Sequence, residues 1–275
     1  MMNGLKIEST AATISLNANG LVINTHPFHS LPADVVFFNG NRVFARLSAK
    51  SWQANIAELP RLKAISENLS LSKPIFYITP PEDLSHFEPN REESRWLGKF
   101  VLFTQTDQLR DIPHQHSPNP IITFQKNPMI GIELRKQILQ LWNCHFVKPV
   151  ASYFGERFAA TMLAQIADSL GDEDRYVFWH EDRLVAHANF CDMTMPLINL
   201  TVTAIDELVD PTLPKQIRVA IHRVVFECLR LRKNRVIHAS ILLNNTNSLQ
   251  HFIKNGFYCA AVSFRELESQ VVPTR

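Results

Sequence analysis

The feature that most restricts this chain is a long amphipathic helix set between two apolar strands in its C-terminal half. The helix is expected over about 215–233, where Ile217, Ile221, Val224, Val225, Cys228 and Leu229 recur at helical spacing. Residues 196–205 before it and 235–243 after it read as strands. A helix with an apolar stripe has to bury that stripe, and strands on both sides give it a sheet to cover. The expected fold class is therefore α/β (α+β), a sheet flanked by helices.

The neighbouring segments extend this order. Ile121–Phe124 reads as a strand, and Ile130 to Phe146 and Tyr153 to Leu170 as two helices, the second stopping at Gly171. Arg175–His180 and Arg183–Phe190 read as two strands joined by a turn at Glu181-Asp182, which predicts a hairpin. A short helix is expected over Asn247–Asn255, and a last strand from Cys259 to Leu267. The stretch 111–120 holds three prolines and no apolar period, so it reads as a linker. Its His114 and His116 are only two of the three or four ligands that a metal needs.

Ahead of this linker the pattern is rich in strands. Thr13–Leu16 and Leu21–Asn24 flank a turn at Asn17–Gly20, and Val35–Phe38 and Arg42–Leu47 flank one at Asn39-Gly40-Asn41. A helical stretch at 51–69 is interrupted near Pro60, and 73–79 and 99–104 read as strands. The expected organisation is an N-terminal α+β domain at 1–110, the linker, and a second domain at 121–275. The first domain reads as a worn copy of the second.

Composition excludes several classes of function. In 275 residues the net charge is +2, too small to suggest nucleic acid as a general partner. No run of about 18 apolar residues predicts a membrane span, and residues 1–6 carry no leader pattern. Cys144, Cys191, Cys228 and Cys259 form no C-x-x-C pair, so reduced thiols and a cytoplasmic location are expected. No Walker loop, nucleophile elbow or dinucleotide fingerprint is present. The basic run Arg230, Arg232, Lys233 and Arg235 closes the long helix, where positive charge complements the negative helix end.

One segment carries a residue-level resemblance. Asn245-Thr246-Asn247-Ser248, followed by Phe252, Lys254, Gly256 and Phe257, is similar to the Asn-x-x-Ala/Ser…Tyr-x-Lys-x-Gly-Phe signature of the GNAT N-acyltransferases, with every spacing kept. The segments from 121 onward follow the β-α-α-β-β-β-α-β-α-β order of that family, and the resemblance implies its mixed, mostly antiparallel sheet flanked by helices. The resemblance covers a little over half the chain. It implies an acyl-CoA co-substrate, such as acetyl-CoA, held where two central strands diverge, with Asn245 and Ser248 at its side. Ser248 is expected to open the short helix as a cap and Gly256 to close it.

In the family the pyrophosphate rests on a glycine-rich loop at the start of the long helix. Laid without gaps, the loop falls on Val209-Asp210-Pro211 and then Pro214 to Val219. Lys215, Ile217 and Val219 stand where the family keeps glycine, and Gln216 and Arg218 lie between them. Ile217 and Val219 would crowd a phosphate there, whereas Lys215 and Arg218 supply charge. The tyrosine that protonates the departing thiolate in many members is Phe252 here, and Tyr258 lies nearby. Asp206 and Glu207 precede the loop and are the candidate general bases. His187 and His238, inside apolar strands, read as core residues.

Two functions follow. One is an acyl-CoA-dependent N-acyltransferase whose acceptor amine, on a small molecule or a protein, attacks the thioester directly. The other is a GNAT-type fold kept as a binding or regulatory module. A CoA-thioester enzyme of different outcome, by transfer to a carrier or decarboxylation, is a third.

Overall fold

The computed structural model describes residues 6–8, 35–39, 42–46, 56–68, 70–71, 73–78, 80–81, 84, 96–110, 122–170, 174–195, 200–233 and 236–267. The hairpin expected at 13–24 and the linker at 111–120, with His114 and His116, lie outside them. The strands are β1 (Lys6–Glu8), β2 (Val35–Asn39), β3 (Arg42–Arg46), β4 (Ile75–Ile78), β5 (Trp96–Gln105), β6 (Thr123–Lys126), β7 (Asp174–His180), β8 (Arg183–Met195), β9 (Leu200–Val209), β10 (Val236–Leu242) and β11 (Tyr258–Glu266). The helices are α1 (Leu59–Asn68), α2 (Ile132–Trp142), α3 (Lys148–Phe154), α4 (Glu156–Ser169), α5 (Lys215–Arg230) and α6 (Thr246–Lys254).

All these strands belong to one mixed sheet in the order β1-β2-β3-β4-β11-β5-β10-β9-β8-β7-β6. Three adjacencies are parallel, β1 with β2, β3 with β4 and β10 with β9, and the other seven are antiparallel. The expected class, a mostly antiparallel sheet flanked by helices, is the class observed. The sheet also runs across residue 110. β5 comes from the segment before the proline-rich stretch and lies between β10 and β11.

β5 fits there because its sequence is apolar on both faces, with Leu97, Phe100, Val101, Leu102 and Phe103 all buried. A strand with neighbours on both edges and packing on both faces reads as a near-continuous apolar run. Gly98 sets the local spacing. A Cβ there would stand 2.3 Å from Leu243 Cδ1, so the missing side chain is what lets Leu243 close over the strand.

Local chemistry explains the elements. Glu181 and Asp182 turn the β7–β8 hairpin with φ of 50° and 59°, as a two-residue primed turn requires. The helical region after β6 differs from expectation. α2 passes through a π-helical turn at Asn143–Val147 straight into α3, and the break comes at Gly155, whose φ of 86° and ψ of 160° suit glycine alone. The strand expected at 196–205 is described from Leu200 to Val209, with 196–199 outside the described residues, and it contains Asp206 and Glu207.

The main core spans both halves of the chain. Leu59, Leu62, Phe76 and Ile78 share one apolar cluster with Ile221, Val225, Phe226, Leu249, Phe252 and Phe257. Burying one such side chain contributes about 1.5–3 kcal/mol. The α1 and β4 segment and the α5–α6 layer are thus held by the same hydrophobic contacts.

Candidate functional site

β9 and β10 pair at only three positions, Thr203 with Ile237, Ala204 with His238 and Ile205 with Ala239. β9 nevertheless continues to Val209, paired all the way with β8, and β10 continues to Leu242, paired with β5. Each strand keeps its outer partner and loses its inner one, so the two part beyond Ile205 and Ala239. Among the described residues no strand lies across from the backbone groups facing this opening, and an extended amide-bearing ligand can pair with them.

Successive side chains on a strand point to opposite faces, so Asp206 and Glu207 serve different surroundings. Asp206 lies directly across from Asn189 on β8. Ser240 follows the last β9–β10 rung on β10, opposite Val101, and Lys99 is two residues from Val101 on the same face of β5. Asp206 and Ser240 are both exposed although they sit in the interior of the sheet, as residues lining a cleft would be. The protein mass around the cleft raises the Asp206 carboxyl above its ordinary range, and the Lys99 charge pulls it part of the way back. Lys99 is lowered by burial, an effect that Asp206 opposes and Arg265 reinforces.

Two neighbours complete this face. Asn189 is 4% exposed and its Oδ1 has no hydrogen-bond partner. Beside the cleft, His238 donates from Nδ1 to the Leu102 carbonyl at 3.1 Å, and Ser240 Oγ lies 3.0 Å from His238 Nε2, which accepts its proton when the ring is neutral. Burial holds His238 down at about 4 against the opposing pull of the Leu102 carbonyl, and Lys99 lowers it further. His187 is also buried, and its Nδ1 accepts from Trp142 Nε1 at 3.0 Å. Both are core residues, as their apolar strands suggested.

On the opposite face Glu207 Oε1 meets His222 Nδ1 of α5 at 2.7 Å. Burial alone would raise this carboxyl; the His222 charge and hydrogen bond, with help from His251, outweigh it and hold the carboxyl below its ordinary value. Of the two candidate bases, only Asp206 faces the cleft. Glu207 is engaged with α5.

The loop before α5 is built on Asp210. Its Oδ1 accepts from the Thr212 N–H at 2.8 Å and from the Thr212 hydroxyl at 2.6 Å, and Arg183 lies 3.0 Å from Oδ2. His145, in the π-helical turn, is 3.6 Å away and ties that helix to the loop. At the start of α5, Lys215 and Gln216 are exposed, and Arg218 and Val219 are half-buried. Ile217 is 6% exposed and belongs to the main core, so it points away from the place where it was expected to crowd a phosphate.

At α6 one expectation is corrected. The helix is capped by Asn245, whose Oδ1 accepts from the Ser248 N–H at 3.2 Å; Ser248 is the third residue of the helix and does not open it. Asn245 therefore spends its carbonyl oxygen on the cap and keeps its amide N–H groups. Gly256 closes the helix with φ of 95°, as expected. Phe252 is 5% exposed and packs edge-on against Phe257 with ring centroids 4.8 Å apart. The position is a core position. Tyr258 stacks near Phe103, and its buried hydroxyl has no partner.

Lys99, Asn189, His222 and His251 were not singled out from sequence. The one signal for Lys99 was a charge at the head of an apolar run. The others lie on three separate elements, and no local spacing links them.

No family model matches the chain, and no curated protein matches it in sequence. Among solved structures, a GNAT-family acetyltransferase from Colwellia psychrerythraea is 11% identical, with 80% of this chain and 75% of that one covered at a TM-score of 0.43. L-PGS from Bacillus licheniformis is 14% identical, with coverage of 86% and 81% and a TM-score of 0.41. A functionally unknown conserved protein from Staphylococcus epidermidis is 13% identical, with 82% of each chain covered and a TM-score of 0.46. Overlaps this loose leave the function to be argued from the site itself.

Proposed function

We propose that the chain is an acyl-CoA-dependent N-acyltransferase acting in the cleft between β9 and β10. The observation that carries this reading is the parting of these strands after three rungs, with Asp206 and Ser240 exposed inside the sheet. The pantetheine arm, which bears two amides, would lie in the opening and pair with the free inner edge of β9. Acetyl or longer acyl groups fit the same scheme. Lys215 and Arg218 at the start of α5, with the Asn245 amide, would hold the phosphate end.

The acceptor amine enters on the Asp206 face. An ammonium group has three donors, and the Asp206 carboxylate and Asn189 Oδ1 stand side by side to accept from it. Asp206 takes the proton, and burial, by raising its carboxyl above the ordinary range, makes it a stronger proton acceptor than a solvated aspartate. The free amine then attacks the thioester carbonyl, and backbone N–H groups of β9 stabilise the oxyanion. The C–N bond forms first, the oxyanion then collapses with cleavage of the C–S bond, and the attacking nitrogen gives up its remaining extra proton, by way of solvent, to the thiolate that leaves beside the Lys99 ammonium.

A binding module without transfer is the second reading, and the burial of Phe252 at the family's tyrosine position favours it. Calorimetric titration with acetyl-CoA and longer acyl-CoAs separates the two, followed by turnover assays with primary amines. Micromolar binding is expected, weakened by Asn245→Ala. Asp206→Asn should keep binding and slow transfer by about 100-fold or more. Failure of every acyl-CoA to bind would sink the enzyme reading, and binding without turnover would leave the module.

A further inference from the structure

We infer that Glu207, His222 and His251 form a three-ligand site for a divalent cation of the zinc class, on the sheet face opposite the acceptor. One ligand atom from each of the three side chains lies within 4.8 Å of the others, and the side chains come from β9, α5 and α6. Two histidines and one carboxylate are a donor set that zinc accepts, with a fourth position left to solvent.

A Glu–His ion pair alone would not account for the third member. The His251 ring stacks on His222 with centroids 4.0 Å apart, and its Nε2 is buried with no hydrogen-bond partner. A bound cation gives that nitrogen the partner it lacks. Tetrahedral zinc at about 2.0–2.1 Å from each donor spaces its ligand atoms about 3.3 Å apart. The 2.7 Å contact between Glu207 and His222 would open slightly and His251 would close in, both within the reach of side-chain rotation.

The surroundings fit a site with one open position. The Glu207 side chain is 3% exposed and that of His222 is 18% exposed, so the ligands are anchored while solvent still reaches the cluster. Arg218 and Lys254 place positive charge near His251, which favours an anion such as hydroxide over neutral water as the fourth ligand. Glu207 lies two residues beyond the last β9–β10 rung, α5 follows β9 and α6 follows β10. A cation here would link both walls of the cleft at its base. The site does not depend on acyl transfer.

The test is titration of the EDTA-treated full chain with ZnCl2 by calorimetry and with CoCl2 by visible absorption. One ion per chain is expected, with the d–d bands of four-coordinate cobalt and no thiolate charge-transfer band. His251→Gln and Glu207→Gln should each weaken zinc by about 100-fold or more, since even outer-shell changes cost 10–100-fold. His114→Gln/His116→Gln should bind as the parent does. Circular dichroism establishes that each variant is folded, and if one is not, the other carries the comparison. Absence of binding by the parent chain, unchanged binding in a folded ligand variant, or a thiolate band would each overturn the site.

Discussion

Gly256 carries two constraints at once. Its φ is 95°, and a Cβ there would stand 2.3 Å from the Gln108 carbonyl oxygen, while its own carbonyl accepts from Thr104 Oγ1 at 2.8 Å. The α6 cap is thus pressed against the end of β5. Gly256→Ala should destabilise the fold by about 2–5 kcal/mol, the sum of a left-handed backbone and a clash with main chain that cannot step aside. Urea unfolding reads this directly, and a loss below about 1 kcal/mol would show that the Gln108 segment yields. This residue was legible in sequence, because a Gly-Phe pair after a helical run leaves few options. Asp206 and Glu207 were legible only as a pair. Which one faces the cleft depends on strand register, and the expected strand ended before either residue. Lys99, Asn189 and His251 gain their meaning from contacts between elements far apart in the chain, and no local pattern encodes those.

At the scale of elements, β5 decides how the molecule holds together. It pairs with β10 from Lys99 to Gln105 and with β11 from Trp96 to Phe103, and so fills the gap between two strands that would otherwise be open edges. The element order from β6 to β11 could be read from periodicity, but nothing in that pattern says that a strand from before residue 110 belongs between its last two members. Long-range strand pairing leaves no local sequence mark. Cutting the chain at the proline-rich stretch should therefore fail to give a stable C-terminal unit. A fragment of residues 121–275 would expose the unpaired edges of β10 and β11 together with the apolar contacts of Phe100 and Leu102. Aggregation or a loss of cooperative melting is expected for the fragment alone, and recovery when residues 1–110 are added in trans. A monomeric fragment melting within a few degrees of the full chain would show that β5 is dispensable.

For the whole molecule, the buried histidines set a limit on the acid side. His187 is fully buried and is held down at about 3 by burial, with the Arg175 charge adding to the effect. His238 is held at about 4 for the reasons given above. In the unfolded chain both return to about 6.5. As pH falls below 6.5 the unfolded state takes up protons that the folded state refuses, so stability is full above 6.5 and is lost toward the folded values. Each group contributes a slope approaching about 1.4 kcal/mol per pH unit. Asp206, whose carboxyl is raised, works in the opposite sense, so the clearest window is pH 6.5 to 5, where ordinary carboxylates remain ionised. His187→Gln keeps an acceptor for the Trp142 N–H and removes one titrating group. Its stability profile should be shallower than the parent's by about one proton's slope. A His187→Gln profile that runs parallel to the parent's from pH 6.5 to 5 would mean that this ring is protonated in the native state, and that water reaches the Trp142–His187 contact beneath the helices.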